Sequence, residues 1–353
     1  MLLHPADRAL NLTGNYAQSR AAHLVSNSLD SLFGSRPVVL APMAGVTDAP
    51  FRAAVRGYGA VLVYSEMVAS AELLRERRSA ALRLKADRAE GPIAIQLAGR
   101  EPQALAEAAR MAEGEGALLI DINMGCPAKK VVGGLCGSAL MREPDLARAL
   151  ARAVIEAVSV PVTVKMRLGW DDADRNAPTL AKALEAEGVR AIAVHGRTRA
   201  QFYDGQADWR FIGRVKAAVS IPVLANGDVR TTSDAEQILD ASGADGVMVG
   251  RGAFGQPWVV AQMQAAVRGE AIPADPPHTE RWQTALTQYR ASLAHYGPEL
   301  GRRVVRKHLG WYAQYAGMDR SLRDLLVRSS DPEPYLMRLA AGAALVGEFE
   351  AAA

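Results

Sequence analysis

The chain contains no apolar run approaching the roughly 20 residues that a bilayer-spanning helix needs. Cysteine is nearly absent too: Cys126 and Cys136 are the only two among 353 residues. Two thiols build neither a disulfide framework nor a zinc site of usual spacing, and they fit a reducing compartment. Charge of one sign is equally scarce. The formal net charge is +3, so overall electrostatics do not by themselves announce a polyanionic partner. Met1 to Arg36 carries polar residues throughout and lacks the apolar segment of a signal peptide. The expectation is a cytoplasmic protein, monomeric, with no membrane partner and no metal ion.

What the chain does have is regular punctuation by short apolar, β-branched runs. They lie at Val38–Leu40, Val61–Tyr64, Ile93–Gln96, Leu118–Ile122, Val162–Lys165, Ala191–Val194, Val223–Ala225 and Val247–Val249. Helical patterns alternate with them, which is the signature of βαβ units and a parallel sheet. The runs are apolar without alternation, so both faces of the sheet must be covered. An α/β fold follows, a (β/α)8 TIM barrel of about 250 residues, with a smaller all-α helical domain after it. Helix starts are legible where Asp48 precedes Pro50, at Pro102 and at Pro144, and Gly188 and Gly243 mark helix ends.

The alternation stops near Gly269. Residues 1–36 read as an N-terminal extension, 37–270 as the barrel, 271–278 as a Pro-rich linker and 279–353 as helices without strands. The helical patterns run from Thr279 to Tyr296, Leu300 to Ala316, Arg320 to Ser329 and Pro334 to Gly347. From 281 to 345 they carry ten Lys/Arg against five acids. Arg302, Arg303, Arg306 and Lys307 put four cations on adjacent turns, interleaved with His308, Trp311 and Tyr312. A solvated face explains such a cluster as well as a nucleic-acid surface does.

Nearly every chemically loaded residue falls at or just past a strand end: Pro42-Met43, Glu66, Gln96, Asn123 to Cys126, Lys165, His195, Asn226 to Asp228 and Gly250-Arg251. A barrel assembles its active site from those positions. The glycines after the seventh and eighth strands let backbone N–H groups approach an oxyanion, and Arg251 offers it a planar fork. A phosphorylated ligand is expected there. Gln96, Lys165 and His195 converge on the same mouth as an amide, a cation and an imidazole. That set suits a planar heteroaromatic, and a flavin fits well because a nearby cation stabilises its reduced form. Cys126, on a Gly/Pro loop, is by position a nucleophile, a proton donor or an inert small residue.

Six motifs, in order, carry a resemblance. They are Ala41-Pro-Met-Ala-Gly-Val-Thr-Asp48, Asn123-Met-Gly-Cys-Pro127, Val164-Lys-Met-Arg-Leu-Gly169, His195-Gly-Arg-Thr-Arg199, Asn226-Gly-Asp228 and Gly250-Arg-Gly-Ala253. Together they resemble the tRNA-dihydrouridine synthase family. Cys126-Pro-Ala-Lys-Lys130 and Arg306-Lys-His-Leu-Gly-Trp-Tyr312 resemble its bacterial B-type, nitrogen-regulation-3-like branch. The resemblance implies an FMN-dependent barrel, a helical tRNA-binding domain, and reduction of the C5=C6 bond of particular uridines with NADPH (or NADH) as electron source. Pro42, Met43 and Ala44 would then touch the flavin, and Gln96, Lys165 and His195 would hold its ring. Asn226, Gly227, Asp228, Gly250 and Arg251 would hold its phosphate.

Cys126 would be the general acid. The ordinary thiol pKa near 8.5 keeps such a donor protonated at neutral pH. Asn123 and Arg167 would read the base edge, and Arg197 and Arg199 would contact the base or a neighbouring phosphate. The partner would be tRNA, its target base extruded into the barrel mouth. An FMN enzyme acting on a free pyrimidine, or a tRNA-binding flavoprotein without catalysis, would share parts of this pattern.

Overall fold

The computed structural model describes residues 29–60, 62–75 and 93–343. Most of the expected extension over 1–36, and the end of the helix expected from Pro334 to Gly347, lie outside the described residues.

The sheet is wholly parallel. Its segments are β1 (Val38–Leu40), β2 (Val63–Tyr64), β3 (Val68–Ala69), β4 (Ile93–Ala98), β5 (Leu119–Met124), β6 (Val162–Arg167), β7 (Ala191–His195), β8 (Val223–Asn226) and β9 (Gly246–Val249). β1 pairs with β9 on one side and β2 on the other, and β2 with β4, so the sheet closes into an eight-position barrel. β2 and β3 are two pieces of one barrel strand, because Val63 faces Ile93 while Val68 faces Leu97. One extra residue between them makes a bulge at Ser65-Glu66-Met67, a device that re-aims side chains beside functional sites. Ser65 bridges it: its N–H donates to the Ala94 carbonyl at 2.8 Å and its hydroxyl accepts the Gln96 N–H at 3.1 Å.

Successive strand residues point to opposite faces. The outward set, including Ile95, Ile122, Val164, Ile192 and Val247, packs against the surrounding helices. These are α1 (Ala49–Gly57), α2 (Pro102–Gly114), α3 (Pro144–Ile155), α4 (Ala177–Glu187), α5 (Trp209–Ala218), α6 (Thr232–Ser242) and α7 (Val259–Arg268). Asp48 caps α1 by accepting the Phe51 N–H at 3.1 Å. α6 is capped by Thr231, whose side chain and that of Asp234 form a reciprocal capping box.

The inward set is apolar at the amino ends of the strands. Val39, Leu62, Leu119 and Leu224 form an inner cluster that also holds Leu29 and Phe33. Those two lie on a short helix, Leu29–Phe33, that plugs the barrel opposite its active mouth. The end of the presumed extension is therefore core.

Residues 271–277 have no regular structure. Among the described residues four helices follow: α8 (His278–Tyr296), α9 (Pro298–Tyr315), α10 (Arg320–Arg328) and α11 (Glu333–Ala340). They share a core of Trp282, Leu286, Tyr289, Leu309, Leu326 and Leu336, which the barrel residue Trp258 joins. The seam with the barrel is aromatic. The Trp311 ring stacks on Phe254 at 3.8 Å between centroids, and His308 lies against Phe51 at 5.0 Å. His308 is fully buried, and burial lowers it to about 3, so it sits there as a neutral ring. Tyr296 donates to Asp48 at 3.2 Å, which ties α8 to the start of α1.

Among the described residues no helix is long and apolar enough to cross a membrane, and no cluster of three His, Cys, Asp or Glu is placed to hold a metal ion.

Candidate functional site

A cavity of about 460 Å³ opens at the carboxyl ends of the strands. β4 to β8 run one or two residues further than their apolar runs predict, so Asn123, Arg167, His195 and Asn226 stay in the ladder, with Asn123 opposite Lys165 and His195 opposite Asn226. The backbone pairs regardless of side-chain polarity, and strand parity then turns every one of these side chains inward.

Pro42, Met43 and Ala44 form one wall of the cavity. Gln96, Asn123, Lys165 and His195 rise from its floor. Asn226, Gly227, Asp228, Gly250 and Arg251 close the far side, while Cys126 and Arg167 line the side after β5 and β6. Residues scattered over some two hundred positions of sequence thus share one volume. Its size suits a cofactor-scale ligand.

On the floor, the Lys165 ammonium donates to the Asn226 side-chain carbonyl at 3.1 Å, and the Asn226 amide donates to the Met248 carbonyl at 2.7 Å. Asn226 therefore orients Lys165, which is a different task from the phosphate contact expected of it. Burial, reinforced by nearby Arg167, lowers Lys165 to about 8, while Asp121 works the other way. Burial also pushes His195 well below its usual value, and Lys165, Arg167, Arg197 and Arg251 act in the same direction. Its imidazole is neutral at neutral pH.

At the rim, the Cys126 N–H donates to the Asn123 side-chain oxygen at 2.9 Å. Its carbonyl accepts from both the N–H and the hydroxyl of Ser138, each at 3.0 Å. Gly137 has φ +61, and a Cβ there would stand 2.7 Å from the same carbonyl, so only glycine lets the following segment close over the thiol loop. Arg167 is almost wholly buried and donates to the carbonyls of Gly125, Thr198 and Phe202 at 2.7–2.9 Å. It clamps the loops after β5 and β7 together. Burial lowers it to about 10, still a cation at neutral pH.

Arg197 and Arg199 do not line the cavity. Arg197 is 2% exposed and its guanidinium serves the carbonyls of Asp204 and Gly205 and the Asp228 carboxylate at 2.6 Å. Arg199 stands over the Trp170 ring, 4.6 Å from its centroid. Position in the motif suggested contact with substrate; the loop from 196 to 208 folds back, burying Arg197 and laying the half-buried Arg199 on Trp170. Asp228, at φ +57, also meets Arg251 at 3.3 Å and accepts the Ala207 N–H at 2.9 Å. Burial opposes its charge, but Arg197, the Ala207 N–H and Arg251 outweigh that and hold it below the usual carboxylate range. A carboxylate repels a phosphate, so the group that Asp228 can serve there is Arg251, which it steadies.

The cations of α9 divide. Arg302 bonds the Ser330 carbonyl at 3.0 Å and the Glu299 carboxylate, which ties α9 to the loop after α10. Arg303 and Arg306 are exposed. The Lys307 ammonium lies beside Gly45, in the loop after β1, where a Cβ would be 3.2 Å from it.

Several residues escaped the sequence reading. Tyr203 lies between Arg167 and Arg251, with its ring centroid 5.6 and 5.1 Å from their guanidinium carbons, and Phe202 meets it edge-on at 5.0 Å. Both line the cavity and are partly exposed. Glu66, which the sequence did mark at a strand end, is buried on the bulge and accepts the Gly45 N–H. Asp121 and Thr163 are buried beneath the floor. The available signal was parity: Asp121 is two residues before Asn123, and Thr163 two before Lys165, on the same inward face.

Comparison with known proteins agrees with these motifs. A family model described as Dihydrouridine synthase (Dus) matches residues 39–345. A "Probable tRNA-dihydrouridine synthase" of Rhodobacter capsulatus is 54% identical over 306 residues, covering 86% of this chain and 94% of its own. One of the same description from Rickettsia conorii is 49% identical over 299 residues, covering 84% and 90%. A "tRNA-dihydrouridine synthase B" of Xanthomonas campestris pv. campestris is 46% identical over 299 residues, covering 85% and 90%. On a match that spans the closed barrel and most of the helical region, the chain belongs to the dihydrouridine synthase family.

Proposed function

We propose that this protein is an FMN-dependent tRNA-dihydrouridine synthase that reduces the C5=C6 bond of particular uridines in tRNA, with NADPH or NADH as electron source. The observation that carries this reading is that one cavity gathers three kinds of group. It joins a glycine-and-arginine end, a cation–amide–imidazole floor and a thiol on the rim.

The residues fit such a cofactor. Gly227 and Gly250 leave backbone open to a phosphate and Arg251 supplies a cation beside it. Pro42, Met43 and Ala44 would pack on the ring, and Gln96, Lys165 and His195 would hold its polar edges. Lys165 supplies the charge that favours a reduced ring, and the neutral His195 adds no second cation. When bound, FMN recharged by the nicotinamide would supply hydride to C6 of the base. Cys126 would deliver the proton that C5 requires, from a loop fixed at both its N–H and its carbonyl. Asn123 and Arg167 would face the base, which must leave the tRNA fold to enter the cavity. Arg303, Arg306 and Lys307 would meet the tRNA backbone, making affinity strongly salt-dependent.

The test is dihydrouridine content, position by position, in tRNA from cells lacking the protein and complemented with wild type or Cys126→Ala. Loss at defined positions, restored by wild type alone, is the expected result. Unchanged tRNA in a strain with no second synthase would sink the reading. Activity on free uridine but not on tRNA would instead favour a free-pyrimidine reductase.

A further inference from the structure

From beneath the cavity floor up into it runs a hydrogen-bonded chain of side chains, each 7% exposed or less. Thr163 donates to one oxygen of Asp121 at 2.6 Å, and the Gln96 amide donates to the other at 2.7 Å. The Asn123 amide donates to the Gln96 carbonyl at 2.7 Å. The Asn123 carbonyl then accepts the backbone N–H groups of Gly125 and Cys126 at 3.2 and 2.9 Å. Asp121 is 1% exposed and does not line the cavity.

We propose that Asp121 is a positioning residue: it fixes the direction of both amides and, through them, the turn that carries the Cys126 thiol. The inference deepens the functional reading and rests on it for the thiol's role.

The argument is one of polarity. A primary amide has a donating end and an accepting end, and nothing in its shape says which way round it sits. Gln96 and Asn123 stand in series, so a single choice propagates. An ionised carboxylate only accepts. Facing Asp121, Gln96 must turn its NH2 towards it and its oxygen towards Asn123. Asn123 must then give its NH2 to Gln96 and keep its oxygen for the turn. Were the chain reversed, the single NH2 of Asn123 would face two backbone N–H donors, and the turn would lose both bonds. Burial raises Asp121 to about 6, so at neutral pH it is ionised and accepts from both neighbours. It also lies close enough to Lys165 to favour the ammonium form.

Asparagine alone at 121 is a weak probe, because its amine can turn to the Thr163 hydroxyl and leave its oxygen for Gln96. Asp121→Asn combined with Thr163→Val removes that option: whichever end of the new amide faces the valine is unpaired, so its amine can face Gln96 at no extra cost. Adding Gln96→Glu restores a pure acceptor between two amines, and Asn123 can resume its original direction. The readout is hydrogen exchange at the Gly125 and Cys126 amides, which needs neither flavin nor turnover. The double variant should exchange at least tenfold faster at those two amides than wild type. The triple variant should return to within about twofold of wild type.

A double variant that exchanges as slowly as wild type overturns the proposal. So does a triple variant that stays fast or fails to fold. If the double variant does not fold, a folded triple variant with slow exchange supports the proposal on its own. A wild-type protein that exchanges as described but reduces no tRNA would sink the functional reading and leave the amide relay standing.

Discussion

Replacing Asp228 by asparagine separates the charge of this residue from its shape. Asparagine tolerates the left-handed backbone that the φ of +57 requires, so the loop need not rearrange. What disappears is the counterion of Arg197, whose side chain is 2% exposed against 24% for Asp228. Breaking a buried pair from one side costs about 3–5 kcal/mol when the remaining charge is left without partners. Here Arg197 keeps the Asp204 and Gly205 carbonyls, and Asp228 is partly solvated. The expected loss is therefore smaller, about 2–3 kcal/mol, or roughly 3–4 °C in melting temperature for a chain of this length.

On the proposed function, flavin affinity should hold or rise, since a negative charge would leave the neighbourhood of the cofactor's phosphate. The pH dependence has a definite sign. The folded pKa of Asp228 is depressed, so its contribution is present above the unfolded value near 3.9 and is lost as pH falls through the lower folded value. The variant should lack that acid-side loss. Calorimetry and flavin titration between pH 3 and 8 decide the matter. A melting temperature unchanged to within about 1 °C, or a large drop in flavin affinity with stability intact, would refute Asp228 as an anchor for arginines.

Three further outcomes are expected. Phe33→Ala should cost about 3–5 kcal/mol by emptying the plug of the barrel while leaving flavin affinity unchanged, and denaturant melts with flavin titration would show any departure. Lys165 is lowered to about 8, so the unfolded chain binds its proton more tightly. Stability should rise with pH from about 8 towards about 10.4, while anionic-ligand binding weakens over the start of that range; Lys165→Met should flatten both curves in titrations at stepped pH. Gly255→Ala places a Cβ against the Trp311 carbonyl at a φ of +72, so it should destabilise by about 1–3 kcal/mol, read as an earlier calorimetric transition.

The fold was legible because the strands announce themselves as β-branched runs and their ends collect polar residues. Less could be read where sequence neighbours are not spatial neighbours. Leu29 and Phe33 sit amid polar residues, and only the barrel interior they fill explains them. The second strand is broken at Glu66, a discontinuity with no propensity signal. Within the site, side chains on strands were easier to place than those on loops. Gln96, Lys165 and His195 point inward by parity alone. Arg197 and Arg199 depend on a loop that turns back on itself, and no periodicity reports such a turn. Asp121 was hidden for the opposite reason: its parity was plain, but an acid inside an apolar strand acquires a meaning only once Gln96 and Thr163 are seen to donate to it.

The stacked Trp311 and Phe254 rings, with His308 on Phe51 and Tyr296 on Asp48, weld the helices to the loops after β1 and β9. The protein is thus built as a caliper rather than as two hands on a string. Whatever grips the exposed arginines of α9 meets the cavity at a span that the weld has already set. The nucleotide selected would then be the one whose reach matches that span, whatever bases stand beside it.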